Sequence, residues 1–346
     1  VLFLLVKGYL LNWFGASAVT FPYANSYMTI YTLGTFFALV SMGMNYFITA
    51  QGYPGLGMAT TLIGAVVNIA LDPVFIFVLD MNIAGAAVAT VIAQMSSCIF
   101  VLCTLKSGKM PVELGIVKPE RETGKRIMKI GLSPFLILAS DSIIIIALNA
   151  VLQYYGGEAQ GDTLITAATI VQSYMLLITS PMLGVTGGSQ PLISYNYGAN
   201  RPDRIRKTLF CVLLLCVAFT SAMFLISRAA PQYFVRIFTD NPEYRDLSVW
   251  GIKAFTLMII PLSFQYVIVD GLTALGMTRL SLSLSVTRKT IYFVSTCLFP
   301  LFFTAKTAFY AEPVADAAAA CISSTVFFFI YRKYLRGEGR LKDIKI

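Results

Sequence analysis

Three polar side chains are spaced so that they could bind an ion together. Asn68, Asp72 and Thr90 all lie inside apolar stretches of the sequence. Asn68 and Asp72 are four residues apart, so a helix presents both on one face. Asp72 lies seven residues before the end of its apolar run, and Thr90 lies seven residues after the start of the next run. Since an α-helix rises 1.5 Å per residue, an antiparallel helix pair brings Thr90 level with Asp72, about 10 Å below the membrane surface.

Pro73 adds a further oxygen to this set. It has no N–H to donate to the carbonyl of Ile69, so that carbonyl is released. A carboxylate, an amide, a hydroxyl and a freed carbonyl suit a hard cation such as Na⁺, or a proton on the carboxylate alone. A structural alternative stays open, because Asp before Pro is also a common helix start, with Asp as the N-cap.

Other ionisable residues lie inside apolar runs, where they are functional candidates because burying a charge in hydrocarbon is costly. Asp141 is the strongest of these, with a structural carboxylate bonded to a neighbouring serine as the alternative. Asp270 and Asp316 are weaker candidates. For Arg288 and Lys289 we expect an interhelical pair, or side chains that reach towards the cytoplasmic surface, rather than a role in chemistry.

Several classes of site are excluded by composition. The chain has no histidine, which removes Ser-His-Asp and Cys-His nucleophiles and every His-ligated metal site. Its cysteines lie in or at the ends of apolar runs, and none of them forms a CxxC pair. This pattern favours packing residues and indicates no disulfide framework. They are Cys98, Cys103, Cys211, Cys216, Cys297 and Cys321.

The whole chain is too apolar for a soluble protein. Of its 346 residues, 57% are hydrophobic and only 12% are charged, against about 25% charged in soluble domains. Mean hydropathy is +0.74. A membrane span needs about 20 apolar residues, and nine runs of that kind follow a partial tenth before residue 15: 27–48, 58–79, 83–105, 127–152, 164–190, 208–229, 249–275, 280–304 and 308–334. We therefore expect an all-α polytopic membrane protein.

The distribution of basic residues sets the expected orientation. Lysines and arginines cluster at 106–129, 201–207 and 332–345, on one side of the predicted spans. The other side carries only Arg228, Arg236, Arg245 and Lys306. The positive-inside rule places the basic side and the C-terminus in the cytoplasm. The net charge of +9 thus needs no nucleic-acid partner.

The polar stretch after residue 105 divides the spans into a first group of four, one of them partial, and a second group of six. We predict a partial N-terminal lobe at 1–108, a cytoplasmic linker at 109–125 and a six-helix C-terminal lobe at 126–346. Short matches at a common offset, such as Ala50-Gln51-Gly52 with Ala274-Leu275-Gly276, indicate an internal repeat. Two spans and part of a third are expected to precede Val1, which opens inside an apolar stretch.

Two motifs carry a family resemblance. The sequence LIGAVVNIALDPVFIFVLDMNIAGAAVATVIAQ occupies 62–94, and SQPLISYNYGAN at 189–200 precedes a basic turn. Both resemble the multidrug and toxic compound extrusion (MATE) transporters. The resemblance covers essentially the whole chain and implies a twelve-helix fold in two six-helix lobes, with this chain running from the end of the third helix to the twelfth.

The resemblance also implies a function. Family members export mostly cationic, amphipathic compounds in exchange for Na⁺ or H⁺, need no cofactor, and are not enzymes. It places Asn68, Asp72 and Thr90 in a cation-coupling site of the N-terminal lobe, where Na⁺ could bind. It gives Asp141 a role in coupling or substrate binding. We expect a monomer in the plasma membrane whose partners are organic cations and lipid.

Three alternatives stay open. A lipid-linked oligosaccharide flippase of the same superfamily would need several arginines or lysines lining its cavity, and few candidates exist here. An intramembrane aspartyl enzyme could pair Asp141 with Asp270, but neither lies in a GxGD-like sequence. A non-transporting remnant would follow if helices are truly missing.

Overall fold

The structure, a computed structural model, describes residues 2–13, 21–108, 110–112, 114–115 and 120–332. Throughout this part of the chain the regular elements are helices, and the predicted all-α polytopic membrane fold is confirmed. The α-helices are α1 (Leu2–Trp13), α2 (Phe21–Ala50), α3 (Pro54–Pro73), α4 (Asn82–Leu105), α5 (Arg121–Gly198), α6 (Pro202–Ala229), α7 (Pro231–Val235), α8 (Pro242–Phe255), α9 (Ile259–Ala274), α10 (Thr278–Phe302) and α11 (Ala311–Ile330).

Helix α5 contains two of the predicted spans. Its backbone is broken at Gly157, where φ is 63° and ψ is −171°. A residue with a side chain rarely adopts that conformation, so glycine allows the chain to reverse there. Helices α8 and α9 form one span joined by the 3₁₀ turn Thr256–Met258. Within the described residues, each of the nine predicted apolar runs therefore coincides with helix.

Seven segments of the described chain are long and apolar enough to cross a membrane: Phe21–Ala50, Pro54–Val78, Asn82–Leu105, Gln160–Gly198, Pro202–Ala229, Pro242–Ala274 and Ala305–Ile330. Helix α10 is long enough as well, but it carries Arg288 and Lys289 in its interior, which lowers its mean hydropathy. A charged helix of this kind needs compensating partners, and these are described with the site below.

The chain divides into two compact units, Val1–Pro119 and Glu120–Ile346. The predicted lobe and linker boundaries stay a prediction. In the first unit, small residues let helices approach closely. A Cβ added to Gly34 of α2 would lie 2.3 Å from Val91 Cγ2 of α4. A Cβ on Gly85 would lie 2.6 Å from the carbonyl oxygen of Phe75, and the neighbouring Ala87 and Ala89 are fully buried.

The second unit has the larger apolar core. It is built from both parts of α5 together with α6, α8, α9 and the 3₁₀ segment Ala305–Tyr310, and its largest buried rings are Phe255 and Phe309, which meet edge to face at 5.6 Å. Tyr174 also belongs to this core, against Phe234 at 5.0 Å. Its ring is 2% exposed and therefore packs the core.

Candidate functional site

The structure brings together the three predicted residues of the first unit. Asn68 Nδ2 donates to Asp72 Oδ1 at 3.1 Å and to Thr90 Oγ1 at 3.5 Å. All three side chains are half-buried among apolar neighbours. Thr90 Oγ1 donates in turn to the carbonyl of Ala86 at 2.8 Å. One carboxylate, one amide and one hydroxyl from two adjacent helices thus form a connected polar group.

Asn68 is the bridge of this group. The prediction placed Thr90 level with Asp72, whereas its hydroxyl contacts Asn68, one helical turn away from Asp72 along α3. A single amide therefore links the carboxylate and the hydroxyl. For a cation to be held here, the carboxylate and hydroxyl oxygens are in place, and rotation of the amide would add a third oxygen.

Pro73 changes the helix type without ending the helix. The backbone at Pro73 is α-helical, with φ −61° and ψ −35°, and no side chain caps the segment that follows. From Val74 to Val78 the chain forms a π-helix, in which Leu79 N donates to Val74 O at 2.9 Å. The helix-cap alternative for Asp72 is disfavoured, since the helix is continuous through this residue.

In the second unit, Asp141 pairs with a lysine. Lys289 Nζ lies 2.6 Å from Asp141 Oδ1, joining the first part of α5 to α10. The Asp141 side chain is 52% exposed and that of Lys289 is 10% exposed. The serine alternative is not seen for Ser140, which donates to the carbonyl of Leu136.

A second ionic cluster was missed by the sequence reasoning. Arg288 Nη2 lies 2.5 Å from Glu312 Oε1, and its Nε donates to Asp316 Oδ1 at 2.8 Å. The Asp316 side chain is fully buried. The predicted interhelical pairing of Arg288 is confirmed, and the available signal was the four-residue spacing of Glu312 and Asp316, which places both acids on one face of α11.

These groups surround a cavity of about 210 Å³ within the second unit. Asp141, Asp270, Arg288 and Lys289 all line it, together with Gln265 and Tyr266. Asp270 accepts hydrogen bonds from Thr186 and Gln190, while its Oδ2 is buried without a hydrogen-bond partner among the described residues. The two acids that sequence reasoning considered for an aspartyl enzyme thus share one cavity, but a lysine holds Asp141.

The described residues contain no cluster of side chains that would ligate a transition metal. No group of three or more Cys, Asp or Glu side chains there could hold a metal ion. The polar group at Asn68 supplies a single carboxylate, which matches a monovalent ion or a proton better than a divalent metal.

A comparison with protein families decides what kind of protein carries these groups. The MatE family model matches residues 1–74 and 138–294, which is most of the chain. The chain belongs to the MatE family. The matched residues include Asn68, Asp72, Asp141, Arg288 and Lys289, whereas Thr90 lies outside them.

Two relatives of this chain carry the name multidrug export protein MepA. The multidrug export protein MepA of Staphylococcus aureus (strain NCTC 8325 / PS 47) is 27% identical over 270 residues, covering 77% of this chain and 58% of MepA. MepA of Staphylococcus haemolyticus (strain JCSC1435) is 26% identical, covering 80% of this chain and 60% of that protein. The chain thus spans about 60% of the length of these relatives.

Solved structures show the same fold. An outward-facing multidrug resistance MATE transporter of the MOP superfamily matches with a TM-score of 0.86 at 19% identity, over 95% of this chain and 74% of that one. A MOP superfamily transporter from Pyrococcus furiosus matches with a TM-score of 0.86 at 21% identity, over 96% and 75%. The match to the MatE family model confirms the predicted family, and its members are transporters rather than enzymes, which contradicts the aspartyl-enzyme alternative.

Proposed function

We propose that this MatE protein is a secondary transporter that exports amphipathic organic cations in exchange for Na⁺ or H⁺ by alternating access. The observation that carries the proposal is the contact of Asn68 with both Asp72 and Thr90 inside the apolar helices α3 and α4. Because a half-buried carboxylate in a membrane span is costly, its presence there supports a role in binding an ion.

The proposed coupling rests on competition between two loaded states. A cation or proton at Asp72 favours one arrangement of the transporter, and bound substrate favours the other. Cation movement can drive substrate export only because each ligand binds the two arrangements with different affinity. The Asp72 carboxylate supplies the charge, and Thr90 Oγ1 supplies a neutral oxygen beside it. The π segment Val74–Val78 begins two residues after Asp72.

Asp141 is proposed to contribute to substrate binding or coupling in the second unit. Its carboxylate is half exposed and lines the cavity, but Lys289 Nζ already lies against it. A cationic substrate that uses Asp141 therefore has to displace the lysine ammonium. This arrangement would make Asp141 a weaker anchor than an unpaired carboxylate.

The oligosaccharide flippase is the weaker candidate. Such a protein needs free cationic side chains to hold a pyrophosphate group. In the described cavity of the second unit, Arg288 is engaged by Glu312 and Asp316, and Lys289 by Asp141. These pairings support recognition of cations over anions.

The proposed setting is the plasma membrane, with a cytoplasmic C-terminus and a monomeric protein. The clusters of basic residues before Arg121, around Arg204 and after Ile330 support this orientation through the positive-inside rule.

Transport by the full-length protein in proteoliposomes tests the proposal. Liposomes loaded with ethidium are given a Na⁺ gradient, an H⁺ gradient or neither, and ethidium movement is followed by fluorescence. We expect movement only with one of the gradients, and its loss when an ionophore collapses that gradient. Ethidium movement that is indifferent to both gradients would overturn cation coupling.

A further inference from the structure

An apolar groove opens along the second unit between α6, α9 and α11. Its volume is about 370 Å³, and its walls are mostly apolar side chains, among them Phe210, Leu213, Phe264 and Phe327. Phe210 is 67% exposed. Since these helices span the membrane, the solvent that reaches such a groove is lipid.

One end of the groove is cationic. Arg206 lines it, hydrogen-bonded to Asp203 and Tyr331. The Arg332 guanidinium lies 5.8 Å from the ring centroid of Phe328, another wall residue. Exposed Lys207 adjoins Arg206 on α6. Two basic side chains, those of Arg206 and Arg332, therefore lie beside one acid at this end, and Lys207 is close to them in sequence without lining the groove.

This end coincides with the membrane surface, because α6 begins at Pro202 and α11 ends at Ile330. From Arg206 to Leu213 the groove follows α6 for about 10 Å, at 1.5 Å per residue. The basic side chains thus lie at headgroup depth, and the apolar walls extend from there into the hydrocarbon.

We propose that this groove is a binding site for an anionic phospholipid, with one acyl chain between α6, α9 and α11 and the phosphate held by Arg206 and Arg332. A guanidinium binds phosphate oxygens through paired hydrogen bonds. The exported organic cations do not fit this site, since they would meet positive charge at its mouth. The inference needs only the membrane-embedded fold and is independent of the proposed export function.

Native mass spectrometry of the purified full-length protein tests the proposal. The protein is titrated with dioleoyl phosphatidylglycerol or with dioleoyl phosphatidylcholine, which has the same acyl chains. We expect wild type to prefer phosphatidylglycerol by on the order of tenfold, because each of the two arginines near the anionic headgroup contributes about fivefold and the charge of Asp203 offsets part of their product. Arg206→Gln with Arg332→Gln should remove most of that preference, whereas Arg236→Gln with Arg245→Gln, remote from the groove, should keep it.

A second pair of variants tests the groove itself. Ser324 lines it, and Ser324→Trp should fill it and lower the binding of both lipids. The matched control is Thr325→Trp, on the exposed neighbour that does not line the groove, and it should bind as wild type does.

Equal retention of the two lipids by wild type would overturn the proposal, as would a preference that survives Arg206→Gln with Arg332→Gln. Unchanged lipid binding in Ser324→Trp would place the lipid elsewhere. A wild-type dimer that Ser324→Trp dissociates would assign the groove to a second copy of this chain, and would also overturn the proposal.

Discussion

Asn68 donates from one amide group to both the Asp72 carboxylate and the Thr90 hydroxyl, so it links the two groups whose oxygens would hold an ion. The proposed site therefore depends on three side chains with different tasks. The carboxylate supplies the charge, the hydroxyl a neutral ligand, and the amide the geometry.

Thr90→Val keeps the branched shape of the side chain and removes its oxygen. We expect the cation concentration that gives half-maximal export to rise by on the order of tenfold, because an interaction with a charged group contributes about 1.5 kcal/mol. Asn68→Ala should act in the same direction. Substrate affinity, measured by ethidium binding without a cation gradient, should change much less. A larger effect on ethidium binding than on cation dependence would assign these residues to the substrate.

The Asn68 and Asp72 pair could be predicted from sequence because both residues lie on one helix, where a spacing of four residues fixes their proximity. Thr90 could be placed only approximately, since the depth estimate assumed ideal helices. The packing of α3 on α4 brings its hydroxyl to Asn68.

At the scale of elements, α2 and α4 pack without room for a methyl group at Gly34. Gly34→Ala would place a Cβ about 2.3 Å from Val91 Cγ2, so one of the two helices must shift. We expect a destabilisation of about 1 to 3 kcal/mol, measured as a lower Tm in detergent. Adding Val91→Ala should recover part of the loss. If the double variant loses as much stability as the two single variants added together, the contact between Gly34 and Val91 is not the cause of the destabilisation.

Helices α10 and α11 are held together by the buried group of Arg288, Glu312 and Asp316. Arg288→Gln leaves two acids without a cation and should cost about 3 to 5 kcal/mol of stability, seen as a fall in Tm. Asp316→Asn should cost less, because Glu312 keeps its partner. Arg245→Gln is the control: its exposed pair with Asp246 should contribute under about 1 kcal/mol. A Tm for Arg288→Gln within the range of this control would contradict a structural role.

The partners of Arg288 were not predicted from sequence, although an interhelical pair was one of the two expectations for it, because the spacing of Glu312 and Asp316 places both acids on one helix face without indicating which helix that face meets. Its acids lie 24 and 28 residues further along, and Glu312 falls close to the start of its helix. Pairing over that distance depends on how α10 and α11 cross, which hydropathy does not encode. Helix existence, in contrast, follows from long apolar runs and was predicted throughout the described chain.

At the scale of the whole molecule, the proposed orientation can be measured directly. In a variant without its native cysteines, Asn241→Cys and Thr307→Cys should react with an impermeant maleimide in intact cells. Arg204→Cys and Thr278→Cys should react only after the cells are opened. The physical reason is that the basic residues are concentrated on the side of the membrane that carries Arg204 and Thr278, which the positive-inside rule places in the cytoplasm. The reverse labelling pattern would overturn the orientation, and a mixed pattern would overturn the span assignments.

The central claim is that Asp72 couples cation movement to export, and a comparison of two aspartates in one segment tests it most directly. Asp72→Asn keeps size and removes charge. Asp80→Asn makes the same change at an exposed turn, where φ is 50°, a conformation that Asn also tolerates. In full-length protein reconstituted with ethidium and a cation gradient, Asp80→Asn should transport as wild type does. Asp72→Asn should still bind ethidium but show gradient-driven transport no faster than empty liposomes. Wild-type transport by Asp72→Asn would contradict the account.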